Sequence, residues 1–196
     1  MKRRSLGCLL ELLETLLLAL IVFTAVQLWV AQPYQVQQES MENTLMPDQY
    51  VLVDKLSPTF DDYHQGDIVV FSPPKGWSHD TSNTPFIKRV IGLPGDTIDV
   101  RGGKVYVNDL PLDEPYIYNH EPTAVPDANV HQWTVGQNQL FVMGDHRSAS
   151  QDSRHFGPID RSTVIGRAWM RYWPLEEFGL IKPTAPEASA SPTPAP

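Results

Sequence analysis

Beyond residue 33 the apolar residues of this chain come in short runs of four to six, each closed by glycine, proline or a polar turn. No long stretch there keeps a helical period. Tyr50-Val-Leu-Val-Asp54 and Asp67-Ile-Val-Val-Phe71 are two such runs, the second followed by Pro73-Pro74. Phe86-Ile-Lys-Arg-Val-Ile91 ends at Gly92-Leu93-Pro94-Gly95. Asp96 to Val100 and Lys104 to Asn108 flank Arg101-Gly102-Gly103, a hairpin signal. Leu140 to Met143 and Thr163 to Gly166 complete the set. Short strands without a long helix mean a mainly β fold. Residues 72–85 and 111–138 are polar and proline-rich and read as loop insertions. Loops of that length in a compact domain carry function or stay mobile.

The N-terminus differs. Thr15 to Ala31 is seventeen residues without a charge, behind Met1-Lys2-Arg3-Arg4. A bilayer core takes ~20 apolar residues, with a lower bound of about 17. Residues 1–32 are therefore expected to be a cytoplasmic N-terminus and a transmembrane signal anchor. Trp29 and Tyr34 would lie at the far interface, and the basic cluster would hold the N-terminus in the cytoplasm. A buried core helix and a cleaved leader are the alternatives. Residues 33–182 form the body, on the far side of the membrane from the basic cluster, and the lipid is a partner. PTAPEASASPTPAP, 183–196, has too little apolar surface for a core and reads as a disordered tail. The formal net charge of −8 argues against a nucleic-acid partner. Cys8 is the only cysteine, so the body holds no disulfide and no cysteine metal site.

Three segments offer chemistry. Ser40 lies nine positions past Ala31, so an extended chain keeps it within about 30 Å of the expected span. A serine hydroxyl needs a base to become a nucleophile. The histidines (His64, His79, His120, His131, His146 and His155) fall mostly in loop-like segments, and none sits in an H-x-x-x-H or H-E-x-x-H frame. A Ser-His arrangement stays open, because such triads have no fixed chain order. Lys88 is the second candidate. In a strand, Lys88 shares one face with Phe86 and Val90, while Arg89 shares the other with Ile87 and Ile91. Both cannot face open water. Lys88 is either a buried amine with a lowered pKa or an edge-strand gatekeeper. The third segment, GDHRSASQDSRHFG (144–157), carries Asp145, Arg147, Asp152 and Arg154, which can pair and hold the loop rigid, or else form a solvated surface.

In this order the three segments resemble the type I signal peptidases, the membrane-bound Ser-Lys leader peptidases. Ser40-Met41-Glu42-Asn43-Thr44-Leu45 is similar to that family's Ser-Met-x-Pro-Thr-Leu box. Lys88-Arg89-Val90-Ile91-Gly92-Leu93-Pro94-Gly95-Asp96 matches its second box throughout. Gly144-Asp145-His146-Arg147, Ser150 and Asp152-Ser153-Arg154 follow its third. The resemblance covers residues 1 to about 174. It implies a signal-peptidase and SOS-repressor-like β catalytic core, with Ser40 as nucleophile and Lys88 as general base. Ser150 would hydrogen-bond and orient the lysine amine. Asp152 and Arg154 would pair near the site, with Asp145 and Arg147 supporting it and Met41 lining it. The implied substrates are preproteins with small residues before the cut, processed at the plasma membrane by a monomer without metal or cofactor.

Some residues depart from that pattern. Gln38 stands where the family often has a serine whose hydroxyl completes the oxyanion hole beside the Ser40 N–H. Asn43 replaces proline, which loosens the turn after the nucleophile. Glu39 and Glu42 add negative charge, which would favour protonated Lys88 if they point inward. His146 replaces asparagine. The competing readings are a weakly active or inactive homologue acting as a membrane-tethered binding module, and a Ser-His hydrolase.

Overall fold

A computed structural model describes residues 2–25, 27, 30–74, 76–77 and 84–184, with residues 2–10, 57 and 59 described by backbone only. Among the described residues, helix α1 (Lys2–Ala25) leads into twelve strands. They are β1 (Ala31–Gln35), β2 (Tyr50–Asp54), β3 (Ile68–Phe71), β4 (Phe86–Gly92), β5 (Thr97–Arg101), β6 (Lys104–Val107), β7 (Leu110–Pro111), β8 (Gln132–Thr134), β9 (Gln139–Met143), β10 (Ile159–Asp160), β11 (Val164–Trp173) and β12 (Gly179–Leu180). The larger sheet runs β1-β2-β11-β3-β4-β9-β10, with β12 also on β11, and the smaller runs β7-β6-β5-β8. All the pairings are antiparallel. The expected mainly β class holds, and each strand expected from the sequence is present.

The anchor differs from its expectation. The helix starts at Lys2 and ends at Ala25, so its uncharged part is only Thr15–Ala25. At about 1.5 Å per residue that part is roughly half the ~30 Å hydrocarbon core. Ala31, expected in the anchor, opens β1 instead. Among the described residues no helix is long and apolar enough to cross a membrane. Trp29 lies outside the described residues, as does the tail from residue 185 onward.

Three buried apolar clusters hold the body together. One fills the space between the small sheet and β9, with Ile91, Ile98, Val105 and Phe141. A second, with Val36, Met41, Leu45, Val51, Val53 and Ile68, underlies the segment between β1 and β2. The third joins Val69, Phe71, Val90, Leu140 and Ile159. The hairpin at Gly102-Gly103 has both residues at positive φ, +58° and +77°, the geometry of the tight turns that match strand twist. Two consequences position the site. Strand β4 pairs β9 through Arg89↔Met143 and Val90↔Val142. That register sets the loop after β9 beside Lys88. Meanwhile the second cluster seats the Ser40 segment by burying Met41 and Leu45, which follow Ser40 in the chain.

Candidate active site

Ser40 sits in a single 3₁₀ turn, Glu39–Met41, entered from Gln38 in extended conformation. Its side chain is buried. Lys88, also buried, brings its Nζ to 2.7 Å from Ser40 Oγ. The same nitrogen lies 3.1 Å from Ile87 O and 5.3 Å from the centre of the Phe86 ring. Burial pushes the Lys88 ammonium down from 10.5 to about 8, with Asp152 and Asp145 pulling the other way and Arg154 adding to the fall. At 2.7 Å a neutral amine can accept the Ser40 proton. The gatekeeper alternative therefore does not describe this lysine. Both residues of the Lys88-Arg89 pair are buried, one on each face of β4.

Arg89 is the less expected of the two. It forks onto Asp145, with Nε to Oδ1 at 2.8 Å and Nη2 to Oδ2 at 2.7 Å. It also donates to Gly66 O at 2.8 Å and Thr44 Oγ1 at 3.1 Å, and stacks on the Tyr116 ring. Thr44 Oγ1 in turn donates to Asp145 Oδ2 at 2.5 Å. One ion pair thus ties together β4, the Ser40–Thr44 segment and the loop after β9. Both side chains are fully buried.

The expected pairings within 144–157 hold only in part. Asp152 pairs with Arg154, as the resemblance implies, with Oδ1 taking Nε at 2.9 Å and Oδ2 taking Nη2 at 2.8 Å. Asp145 does not pair with Arg147, which instead bonds Glu114, Thr123 and Gly144 O. The Ser150 hydroxyl donates to Asp152 Oδ2 at 2.7 Å, and no bond joins it to Lys88. The buried carboxylate is the stronger acceptor, so Ser150 is linked to the lysine only through the Asp152 charge. Burial works to raise the Asp152 carboxyl, but Arg154, Ser150 and the Gly144 N–H outweigh it and hold the group below its ordinary value. A Cβ on Gly144 would lie 2.4 Å from both Ser150 Oγ and Ser40 O, so only glycine lets the two segments meet there.

The remaining expected residues fall out as follows. Met41 is buried in the cluster beneath Ser40 rather than lining an open site. Gln38 is exposed and has no hydrogen-bond partner among the described residues. Asn43 does not loosen its turn, since its φ is +83° and its Nδ2 donates to Tyr116 O at 3.1 Å. Asparagine tolerates that left-handed geometry, and proline, fixed near −65°, is barred from it. Glu39 is exposed, and Glu42 binds His146. Among the described histidines no ring bonds Ser40, whose hydroxyl partner is Lys88. The insertion 111–138 is bound down: Glu114 and Thr123 hold Arg147, Ala124 O accepts from Arg154 and Tyr118 N donates to Asp145 O. A cleft of about 160 Å³ lined by Tyr34, Val36, Val51, Val70 and Ile87 reaches Gln38. Another of about 390 Å³ lies beside Gln37, Gln38, Glu39, Phe86 and Gln151.

The chain is similar in sequence to known proteins of one family. Residues 9–173 match the family model for signal peptidase, peptidase S26. A probable signal peptidase I-2 of Synechocystis is 37% identical over 177 residues, 88% of this chain and 77% of that protein. The signal peptidase I of Leptolyngbya laminosa is also 37% identical, over 89% of this chain and 85% of its own. Signal peptidase IB of Staphylococcus aureus is 32% identical over 87% and 92%. A crystal structure of a signal peptidase I from Enterococcus faecalis V583 has 29% identity and a TM-score of 0.43, covering 55% of this chain and 97% of that one.

Proposed function

Because the chain belongs to the signal peptidase family, peptidase S26, and is a signal peptidase I that removes signal peptides from preproteins, we propose that Ser40 is its nucleophile and Lys88 the general base. The observation that carries this reading is the 2.7 Å contact between a buried lysine amine and a buried serine hydroxyl. Neutral Lys88 takes the Ser40 proton as Oγ attacks the scissile carbonyl carbon. The carbonyl oxygen becomes an oxyanion, and the Ser40 N–H, in the second position of the Glu39–Met41 turn where no internal acceptor reaches it, donates to it. Gln38 adds a second donor if its exposed amide turns inward. Lys88 then protonates the leaving amine as the C–N bond breaks. Water attacks the resulting ester, its proton passing through Lys88 to Ser40, and the signal peptide leaves as a carboxylic acid.

The supporting residues act through the pair. Burial is the largest influence on Lys88, and Asp152, fixed by Arg154 and Ser150, is the strongest charge opposing it. Asp145 and Arg147 position the loop, and Met41 seats the turn. The cleft along β1 to β4, where Val36, Val51, Val70 and Ile87 form an apolar wall beside Gln35, Gln37 and Thr84, would take the small side chains before the cut.

Membrane anchoring is part of the same proposal. Nine apolar side chains between Leu12 and Phe23 are exposed on α1, behind three basic residues. Glu11 and Glu14 are the tenth and thirteenth of its 24 residues, so the part of the chain proposed to enter the lipid is the uncharged, exposed segment from Thr15 onward. The orientation that follows from the basic end is N-terminus cytoplasmic, single pass, with the catalytic body outside. The working form is taken as a monomer. The test is cleavage of a preprotein by the detergent-solubilised chain, with N-terminal sequencing of the product. Wild type is expected to cut after a small residue at the end of the signal peptide, and Ser40→Ala to give no product over the same time. Cutting by Ser40→Ala would remove Ser40 as nucleophile. A wild type that binds preproteins and never cuts them would favour the binding module.

A further inference from the structure

Residue 146 grips the nucleophile turn twice. Its backbone N–H donates to Ser40 O at 3.1 Å. Its ring Nδ1 lies 2.8 Å from Glu42 Oε2, with only 14% and 16% of the two side chains exposed. The other side of the ring stacks on Tyr118 at 4.2 Å between centres. Tyr118 is itself held, its N–H on Asp145 O at 3.0 Å, so the ring is fixed on both sides. An exposed ion pair is worth about 0–1 kcal/mol and orders little. The His146–Glu42 contact is a largely shielded hydrogen bond, shares a residue with the Ser40 carbonyl contact, and holds a carboxylate only two positions from Ser40.

We propose, building on the Ser40–Lys88 reading, that His146 is a positioning residue: it clamps Glu42, fixes the turn that presents Ser40 and keeps the Glu42 carboxylate off Lys88. The charged groups around Lys88 are Asp152, Asp145 and Arg154. Those around the imidazole are Glu42 and, across the loop, Glu121, whose carboxylate is bound by Ser148. Releasing Glu42 adds a third carboxylate next to the dyad. A nearby negative charge favours protonated lysine, so the pH at which activity rises moves upward.

The test uses the full chain in detergent, with His146→Ala, His146→Gln, Glu42→Gln and the His146→Ala/Glu42→Gln double variant. Thermal midpoints are measured alongside kcat, KM and the pH profile. His146→Ala is expected to lower kcat about tenfold with KM within about twofold. Its acid limb moves up by roughly half a pH unit. In the double variant the limb returns to the wild-type position, while kcat falls no further than in His146→Ala. His146→Gln, whose amide still donates to Glu42, keeps the wild-type limb. The clamp is overturned if the His146→Ala limb does not move, if its shift persists in the double variant, or if the two single losses multiply. Ser40→Ala, run in parallel, separates the two ideas: cleavage by that variant removes the dyad whatever the clamp variants do.

Discussion

Lys88→Ala is expected to lower kcat for signal-peptide cleavage by at least about 10³-fold, within the range a positioned general base contributes. Among the described residues no other side chain is hydrogen-bonded to Ser40 Oγ. Lys88→Met keeps the volume of the stem in a fully buried position and is expected to be as inactive and better folded. Lys88→Arg should fail too, because a guanidinium does not give up its proton near neutral pH. Turnover by the purified variants, with circular dichroism to confirm folding, checks this. Retention of more than about a tenth of wild-type kcat by Lys88→Met would mean that another group takes the proton.

The second large effect is on stability. Asp145→Ala leaves the Arg89 guanidinium fully buried with only Gly66 O and Thr44 Oγ1 as acceptors. Breaking a buried pair by removing one partner costs about 3–5 kcal/mol, a large share of the ~5–15 kcal/mol that holds a domain together. The exposed Arg161–Asp62 pair is the contrast, and Asp62→Ala should cost under about 1 kcal/mol. Urea unfolding of both variants reads the difference directly. An Asp145→Ala loss under about 1 kcal/mol would show that the fork does not hold the three segments together. Because Thr44 and Asp145 share that fork, the stability loss should come with a displaced Ser40 and weaker cleavage.

The sequence signalled much of this through strand composition and box spacing. Tyr50–Asp54 was legible as a strand to the residue, and the positive-φ turn at Gly102-Gly103 was legible as a hairpin. Strand β1, AQPYQ, was not. It has no apolar alternation, it carries Pro33, and its first residues complete an uncharged run. It forms because it pairs residue for residue with β2, and a proline is tolerated at a sheet edge. The true partners of Asp145, Arg147 and Ser150 were likewise hidden. Spacing shows which charges share a loop, but not that Arg89 lies 56 residues before Asp145 and Glu114 33 before Arg147. One signal did exist. Two adjacent cations inside an apolar strand require burial or pairing, and both turned out to be buried. Asn43 and His146 first stood out as departures from a family pattern. In place they are bonded, one to Tyr116 O and the other to Glu42 and Ser40 O.

Activation of Ser40 by a buried, neutral lysine is tested by the pH profile of wild-type kcat/KM. That ratio reports the ionisation of the free enzyme. With Lys88 at about 8, roughly a tenth of the molecules carry the neutral amine at pH 7. The rate should climb about tenfold per pH unit below that point and level off above it, with the midpoint near 8. A profile flat from about pH 6 to 10, or a midpoint near 6.5 where histidine titrates, would contradict it.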